Sequence, residues 1–168
     1  MAEYRILLVD DEESVLNSLK RALRQEPCVI FTALSAEEAV SIVETQSVDL
    51  VICDYQLGGM NGLEFLEKIL RDYPEIITIL LTGHAELNVA IEAINKAILY
   101  KFIVKPWNND DLRVTVKRGL EYRALLAENR KLLNKVKRRD EFIEQLEKEN
   151  PGITKINRDE EGRIILDL

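Results

Sequence analysis

Apolar and polar positions in the first 120 residues alternate between two periods. Short apolar runs recur at Arg5–Val9, Val29–Ala33, Leu50–Cys53, Ile76–Leu81 and Tyr100–Val104. Each is too short for a helix and rich in branched side chains, which predicts five strands. Between them, apolar residues fall three and four apart: Val15, Leu16, Leu19, Ala22 and Leu23, then Ala39, Val40, Ile42 and Val43. The same spacing returns at Leu63, Phe65, Leu66, Ile69 and Leu70, and at Leu87, Ala90, Ile91 and Ile94. These predict helices over about 14–24, 63–72 and 86–96, and one that opens at Ser35-Ala36-Glu37-Glu38. The acidic run Asp10–Glu13 suits the first helix N-terminus, where the helix dipole favours negative charge. Ser35 followed by Glu38 reads as a capping box. Pro74 stops the third helix, and the Gly58–Gly62 cluster reads as a turn. A last helix starts near Asn109 and meets no breaker before Glu149. Strands alternating with helices imply right-handed crossovers and a doubly wound, five-stranded parallel α/β sheet covered on both faces.

Composition narrows the class. The chain has 168 residues, of which 46% are hydrophobic and 32% charged, enough for one core with an appendage. No apolar run approaches the ~18 residues of a membrane span. No basic segment precedes an apolar stretch at the N-terminus, so a cytoplasmic location is expected. Cys28 and Cys53 lie in apolar context and read as reduced core thiols. A lone histidine, His84, and two isolated cysteines leave no zinc site of the usual spacings. Residues 1–109 hold 9 Lys and Arg against 17 Asp and Glu, a net of −8, while residues 110–149 hold 11 against 9, a net of +2. An acidic globule thus precedes a mixed-charge arm, and nonspecific nucleic-acid binding is disfavoured.

In doubly wound sheets the site lies at the carboxyl ends of the strands. Strand 1 ends at Asp10 and Asp11, strand 3 at Asp54, strand 4 at Thr82 and strand 5 at Lys105. Three clustered carboxylates persist only if a cation neutralises them, and an all-oxygen set suits Mg²⁺. One carboxylate could then attack a phosphoryl group. Asp54 is the best candidate, because it ends the central strand before a Gly-rich loop. Lys105 and the Thr82 hydroxyl would help to neutralise phosphoryl charge. A single Asp at a strand end is ordinarily a cap or a solvated loop residue. Five such positions on one ladder are harder to dismiss.

LLVDDE (Leu7–Glu12), DLVICD ending at Asp54, MNGLEFL (Met60–Leu66), LLTG (Leu80–Gly83) and FIVKPW (Phe102–Trp107) resemble the receiver domain of two-component response regulators. The resemblance covers residues 4 to about 123. It implies a flavodoxin-like strand order 2-1-3-4-5, with helix 5 here extended. It also implies that Asp54 accepts a phosphoryl group from a sensor histidine kinase or phosphotransfer protein. Asp10, Asp11, Asp54 and the Gln56 backbone carbonyl would hold Mg²⁺ or Mn²⁺. Thr82 and Lys105 would contact the phosphoryl group, Lys105–Pro106 would be cis, and Phe102 would be the switch aromatic. Gln56 and His84 would flank the site and tune dephosphorylation, although His84 also reads as a plain exposed loop residue. Gly83 would leave the site open to water. Such domains often carry Gly before strand 5; here Lys96–Leu99 has none, which predicts a slightly longer fourth helix. Trp107 resembles a subset of receivers attached to phosphodiesterase or phosphatase outputs, or simply packs at the start of helix 5.

The chain is thus expected to comprise a receiver (1–123), a helical coiled-coil extension (124–149) and a tail (150–168). A heptad register places Tyr122, Asn129, Val136 and Ile143 at a, and Leu125, Leu132, Arg139 and Leu146 at d. It predicts a homodimer through residues 122–146, with Asn129 fixing register and Arg139 a flaw. The alternative is a monomeric helix folded back on the globule. The basic run Lys135–Arg139 reads as a solvated face rather than a nucleic-acid contact. Asn150-Pro151-Gly152 ends the helix, and Ile153–Ile156 with Arg163–Leu166 could form a hairpin. No turnover enzyme is expected: two residues after Asp54, where a phosphohydrolase needs a second Asp, stands Gln56. Competing readings are a dimeric scaffold that uses the fold for docking, or a fragment of a larger regulator. The downstream protein partner is not legible.

Overall fold

The computed structural model describes residues 3–154. Five strands, β1 (Tyr4–Val9), β2 (Cys28–Ala33), β3 (Leu50–Asp54), β4 (Ile77–Thr82) and β5 (Lys101–Val104), form one parallel sheet in the order β2-β1-β3-β4-β5. The helices are α1 (Glu13–Leu23), α2 (Ala36–Thr45), α3 (Gly62–Asp72), α4 (Leu87–Asn95) and α5 (Asn109–Glu149). The order is the flavodoxin-like one that the resemblance implies. The chain divides into two compact units after Leu126. Among the described residues, no helix is long and apolar enough to cross a membrane.

The alternation of strand side chains builds two cores. Leu7, Val9, Val51, Cys53 and Leu80 face α2, α3 and α4, where Ala39, Val43, Phe65, Leu66, Ile69, Ala90 and Ala93 close the layer. Ile6, Leu8, Leu50, Ile52, Ile79 and Leu81 face α1 and α5, against Leu16, Leu19, Leu23, Leu112, Val116 and Leu120. β3 is buried along its whole length, as the middle of a doubly covered sheet requires. Gly119 lets α5 approach closely: a Cβ there would lie 3.1 Å from Leu50 and 3.2 Å from Ile77. Cys53 is buried and Cys28 half-buried, both as free thiols.

One local expectation is sharpened and three are corrected. The Gly58–Gly62 turn is a tight antiparallel pairing of Gln56–Leu57 with Met60–Asn61, turned by Gly58 at φ +58. The Ser35 hydroxyl accepts from Glu38 N as expected, but the Glu38 carboxylate accepts from Leu34 N, one residue beyond the usual capping box. The fifth strand starts at Lys101 rather than Tyr100. The fourth helix is shorter than expected, not longer, because a three-residue 3₁₀ turn (His84–Glu86) precedes α4 and α4 stops at Asn95. Ile98 N donates to Ala93 O and Ala97 N to Ile94 O, both at 2.9 Å, the paired bonds of a Schellman C-cap. Ala97 takes the left-handed position of that cap at φ 58, where Gly is usual. The buried Thr78 hydroxyl donates to Ile98 O at 2.6 Å and holds the cap against β4.

α5 runs without a break to Glu149, as its pattern predicts. Leu125, Leu132, Leu133, Val136 and Phe142 are each 47–62% exposed, so among the described residues nothing covers the apolar stripe. The helix ends at Asn150-Pro151-Gly152, where the Glu147 carboxylate accepts from the Gly152 and Thr154 amides and the Thr154 hydroxyl. The hairpin expected over 153–166 lies outside the described residues from Lys155 onward.

A non-glycine residue in the left-handed region costs about 1–2 kcal/mol. Glycine's extra freedom in the unfolded chain returns about 0.4–1 kcal/mol of that. Ala97→Gly should therefore stabilise the protein by about 0.5–1 kcal/mol. Denaturant unfolding checks this through a raised midpoint at unchanged slope.

Candidate functional site

Three strands deliver acidic or basic groups to one end of the sheet. Asp10 follows β1 and is fully buried, its amide bonded to Ala33 O at 3.2 Å. Asp11 follows it and is exposed. Asp54 is the last residue of β3 and is 7% exposed. One carboxylate oxygen from each of the three lies within 4.8 Å of the others. Lys105, just past β5, reaches in from the side. Its Nζ is 2.7 Å from Asp54 Oδ1 and 3.7 Å from Asp10 Oδ2. The Lys105–Pro106 bond is cis, and Lys105 N donates to Thr82 O at 2.9 Å.

The electrostatics are unbalanced: three carboxylates face one ammonium. Burial pushes the Asp10 carboxyl up to about 6 from 3.8. The Glu12 amide opposes that shift, Asp54 adds to it, Lys105 opposes it and Asp11 adds a little more. Asp10 Oδ1 accepts from Glu12 N at 2.8 Å, but Oδ2 is buried with no hydrogen-bond partner. Burial pulls Lys105 down, yet Asp54, Asp10 and Glu12 outweigh it, so the ammonium is held above its ordinary range. Asp54 Oδ2 accepts only a long bond from Gln56 N, 3.3 Å. An all-oxygen set with an orphaned buried oxygen and excess negative charge fits a hard divalent cation. Asp10, Asp11 and Asp54 are the residues that could hold it.

The other predicted residues surround this cluster unevenly. Thr82 ends β4 next to β5, fully buried, and its hydroxyl donates to Gly83 O at 3.2 Å. Gly83 is half-buried and His84 is exposed at the start of the 3₁₀ turn. Gln56 is exposed at the mouth of the short antiparallel pairing. Phe102 is half-buried and packs on the core layer that includes α4. Trp107 is half-buried, packs on the α1–α5 layer and donates to Asn109 Oδ1.

The sequence reading missed what holds Asp54 in place. A Cβ at Gly62 would collide with the Asp54 carbonyl oxygen, so only glycine fits there. Gly62 N donates to Tyr55 O at 2.7 Å, and the Asn61 side chain caps α3 through Leu63 N. The signal is Asn61-Gly62 before an apolar helical run, which the pattern reports as a turn and as part of a family motif but not as a close approach to Asp54.

Residues 6–117 match the family described as response regulator receiver domain. The chain belongs to that family. The receiver is 35% identical over 127 residues to the hydrogenase transcriptional regulatory protein HoxA of Cupriavidus necator, covering 76% of this chain and 26% of that protein. It is 36% identical over 145 residues to an NtrX-like response regulator of Rickettsia typhi, covering 85% of this chain and 30% of that one. The chain thus spans 26–30% of the length of these curated relatives. Among solved structures, the signal receiver domain of an HD domain-containing protein from Pseudomonas fluorescens superposes with a TM-score of 0.69 at 33% identity. It covers 73% of this chain and 98% of that one.

Ionised Asp10 strains the metal-free receiver, and Asn would keep the bond to Glu12 N without the charge. Asp10→Asn should stabilise the metal-free protein by about 1–3 kcal/mol at pH 8, since each unit of pKa shift corresponds to about 1.4 kcal/mol. The native pKa lies above the unfolded one, so the native state holds the proton more tightly. Stability from this group is therefore full below pH 4 and lost as pH rises through 6. The advantage of Asp10→Asn should shrink on acidification through that window. Urea unfolding in chelator at several pH values checks it.

Proposed function

We propose that this receiver is a phosphoacceptor: Asp54 takes a phosphoryl group from a histidine kinase or a phosphotransfer protein. The observation that carries this reading is the Asp10–Asp11–Asp54 cluster with the Lys105 ammonium 2.7 Å from Asp54. In the transfer, an Asp54 carboxylate oxygen forms a bond to phosphorus. The phosphorus–nitrogen bond to the donor imidazole breaks, and the imidazole leaves with the electron pair and takes a proton. Asp10, Asp11, Asp54 and the Gln56 carbonyl are assigned to Mg²⁺ or Mn²⁺, which when bound neutralises charge on the phosphoryl oxygens. Lys105 is placed to pair with a phosphoryl oxygen as its contact to Asp54 is shared. The Thr82 hydroxyl, bonded only to a neighbouring carbonyl, can turn to another. Gln56, Gly83 and His84 border the entrance and would set how readily water reaches the acyl phosphate.

The readout follows from the added charge. A phosphoryl group brings about −1.5 to −2 at neutral pH. Thr82 and its loop would be drawn toward it, and Phe102 would move into the space released, altering the face of α4, β5 and α5. The chain is proposed to act by contact with a downstream protein and as a homodimer through residues 122–146. The a and d choices support pairing in parallel: β-branched Val136 and Ile143 at a, Leu125, Leu132 and Leu146 at d, and Asn129 as the polar a residue. All but Leu146 of these apolar side chains are exposed in the single chain. No turnover of a metabolite is assigned to the site.

Incubation with a small acyl phosphate and Mg²⁺ should add one phosphoryl group per chain, seen by intact mass and located to Asp54. Asp54→Asn and added chelator should each abolish the adduct. Labelling that survives in Asp54→Asn, or that is indifferent to chelator, would overturn the assignment.

A further inference from the structure

Tyr122 serves two structures. Its ring stacks on Tyr100, centroids 5.6 Å apart and planes 21° from parallel. Tyr100 immediately precedes β5, the strand that carries Phe102 and leads to Lys105, and its amide donates to Thr78 O at 2.9 Å. Tyr122 is also the first a position of the heptad register, and 46% of it is exposed. The next residue fixes how α5 is turned at this point. Arg123 lies 3.2 Å from Glu75 Oε2 and 3.8 Å from Asp49 Oδ1. Asp49 is itself held by Arg5 N at 2.9 Å. With that clasp closed, Leu126 packs on the core layer shared with α1, while Leu125 is 59% exposed. Beside the stack lies a cleft of about 480 Å³, walled by Leu70, Pro74, Ile94, Leu99 and the two tyrosines. The Tyr122 ring therefore has room to change rotamer while Arg123 keeps the backbone in place.

We propose that Tyr100 of the same chain and the seam of a second copy compete for the Tyr122 ring. Closing the first layer of a parallel seam buries both copies' Tyr122 between the helices and takes each ring off its Tyr100. The exchange couples dimerisation to the residue that starts β5. Because coupling free energies are reciprocal, whatever loosens Tyr100 tightens the dimer, and dimerisation loosens Tyr100. The inference rests on the pairing through residues 122–146 proposed above.

The test is sedimentation equilibrium of the full chain in Mg²⁺, with and without beryllofluoride as a phosphoryl mimic. It compares the wild type with Tyr100→Leu, which keeps apolar volume but removes the ring, and with Tyr122→Leu, which keeps an apolar a residue that cannot stack. Two aromatic stacks are lost per dimer. Removing that competition should lower the dissociation constant on the order of tenfold in both variants without the mimic. The difference between the two ligand conditions should also shrink. Damage to the fold alone would weaken the dimer, so tightening is the discriminating result. A wild-type dimer with unchanged or weaker association in both variants overturns the competition and leaves the pairing standing. Monomers in all three proteins overturn the pairing and the competition together.

Discussion

Like charges held together at one end of a sheet are the constraint on which the globular unit depends. Asp10, Asp11 and Asp54 would separate in water. Here they are fixed by backbone whose apolar side chains leave it nowhere else to go. β3 is buried on both faces, so Asp54 can only be presented at its end. β1 is paired on both sides, and its buried run from Ile6 to Val9 brings Asp10 to the same level. The sheet is thus stiff where the site is repulsive, and a single ammonium, Lys105, offsets part of the repulsion. Electrostatic tension of this kind belongs at a site meant to bind something, because a structural cluster would relax it with further cations or neutral residues. Asp10 Oδ2 makes the same point from hydrogen bonding: a buried oxygen with no hydrogen bond, only the Lys105 ammonium 3.7 Å away, is costly and has to be offset elsewhere.

Most of this was legible because it depends on strand ends and periodicity. A parallel strand covered on both faces admits few polar residues, so its last residue stands out against the apolar run. Asp10, Asp54, Thr82 and Lys105 were found that way. What escaped depends on close approach rather than pattern. Gly62 is needed because α3 begins against the Asp54 carbonyl, and no local rule reports that contact. The end of α4 escapes the pattern for a related reason. Without a glycine the helix was expected to run on, yet Thr78 and the buried Leu99 hold the following segment against the sheet, and Ala97 takes the left-handed conformation under that tertiary pull. Tertiary contacts override propensity where each is worth more than the one or two kilocalories that propensity commands.

α5 answers to two different constraints along its length. Its first turns are a core helix: Leu112, Val116 and Leu120 are buried and Gly119 sits almost on the sheet. Beyond Leu126 the same helix carries an apolar stripe that is exposed among the described residues. Intrinsic propensity sustains isolated helices only weakly in water, so a long second part calls for burial of its stripe. The a and d pattern has the period that the proposed pairing with a second copy requires. The clasp of Arg123 on Asp49 and Glu75 marks the place where one constraint gives way to the other.

The position of β5 joins these two regimes. Among the described residues it is an edge strand, bonded only to β4, and four residues long. At ~3.3 Å per residue it spans about 13 Å. Lys105 stands just past one end, Tyr100 just before the other, and Phe102 between them. A strand bonded on one side yields more readily than β3, which is bonded on two. A pull on Lys105 or a vacancy beside Thr82 is therefore better relieved in β5 than in the centre of the sheet. Whatever displaces β5 also displaces the ring on which Tyr122 stacks. The acidic cluster and the Tyr100–Tyr122 stack lie toward opposite ends of this short strand, which leads to Lys105 at one end and follows Tyr100 at the other.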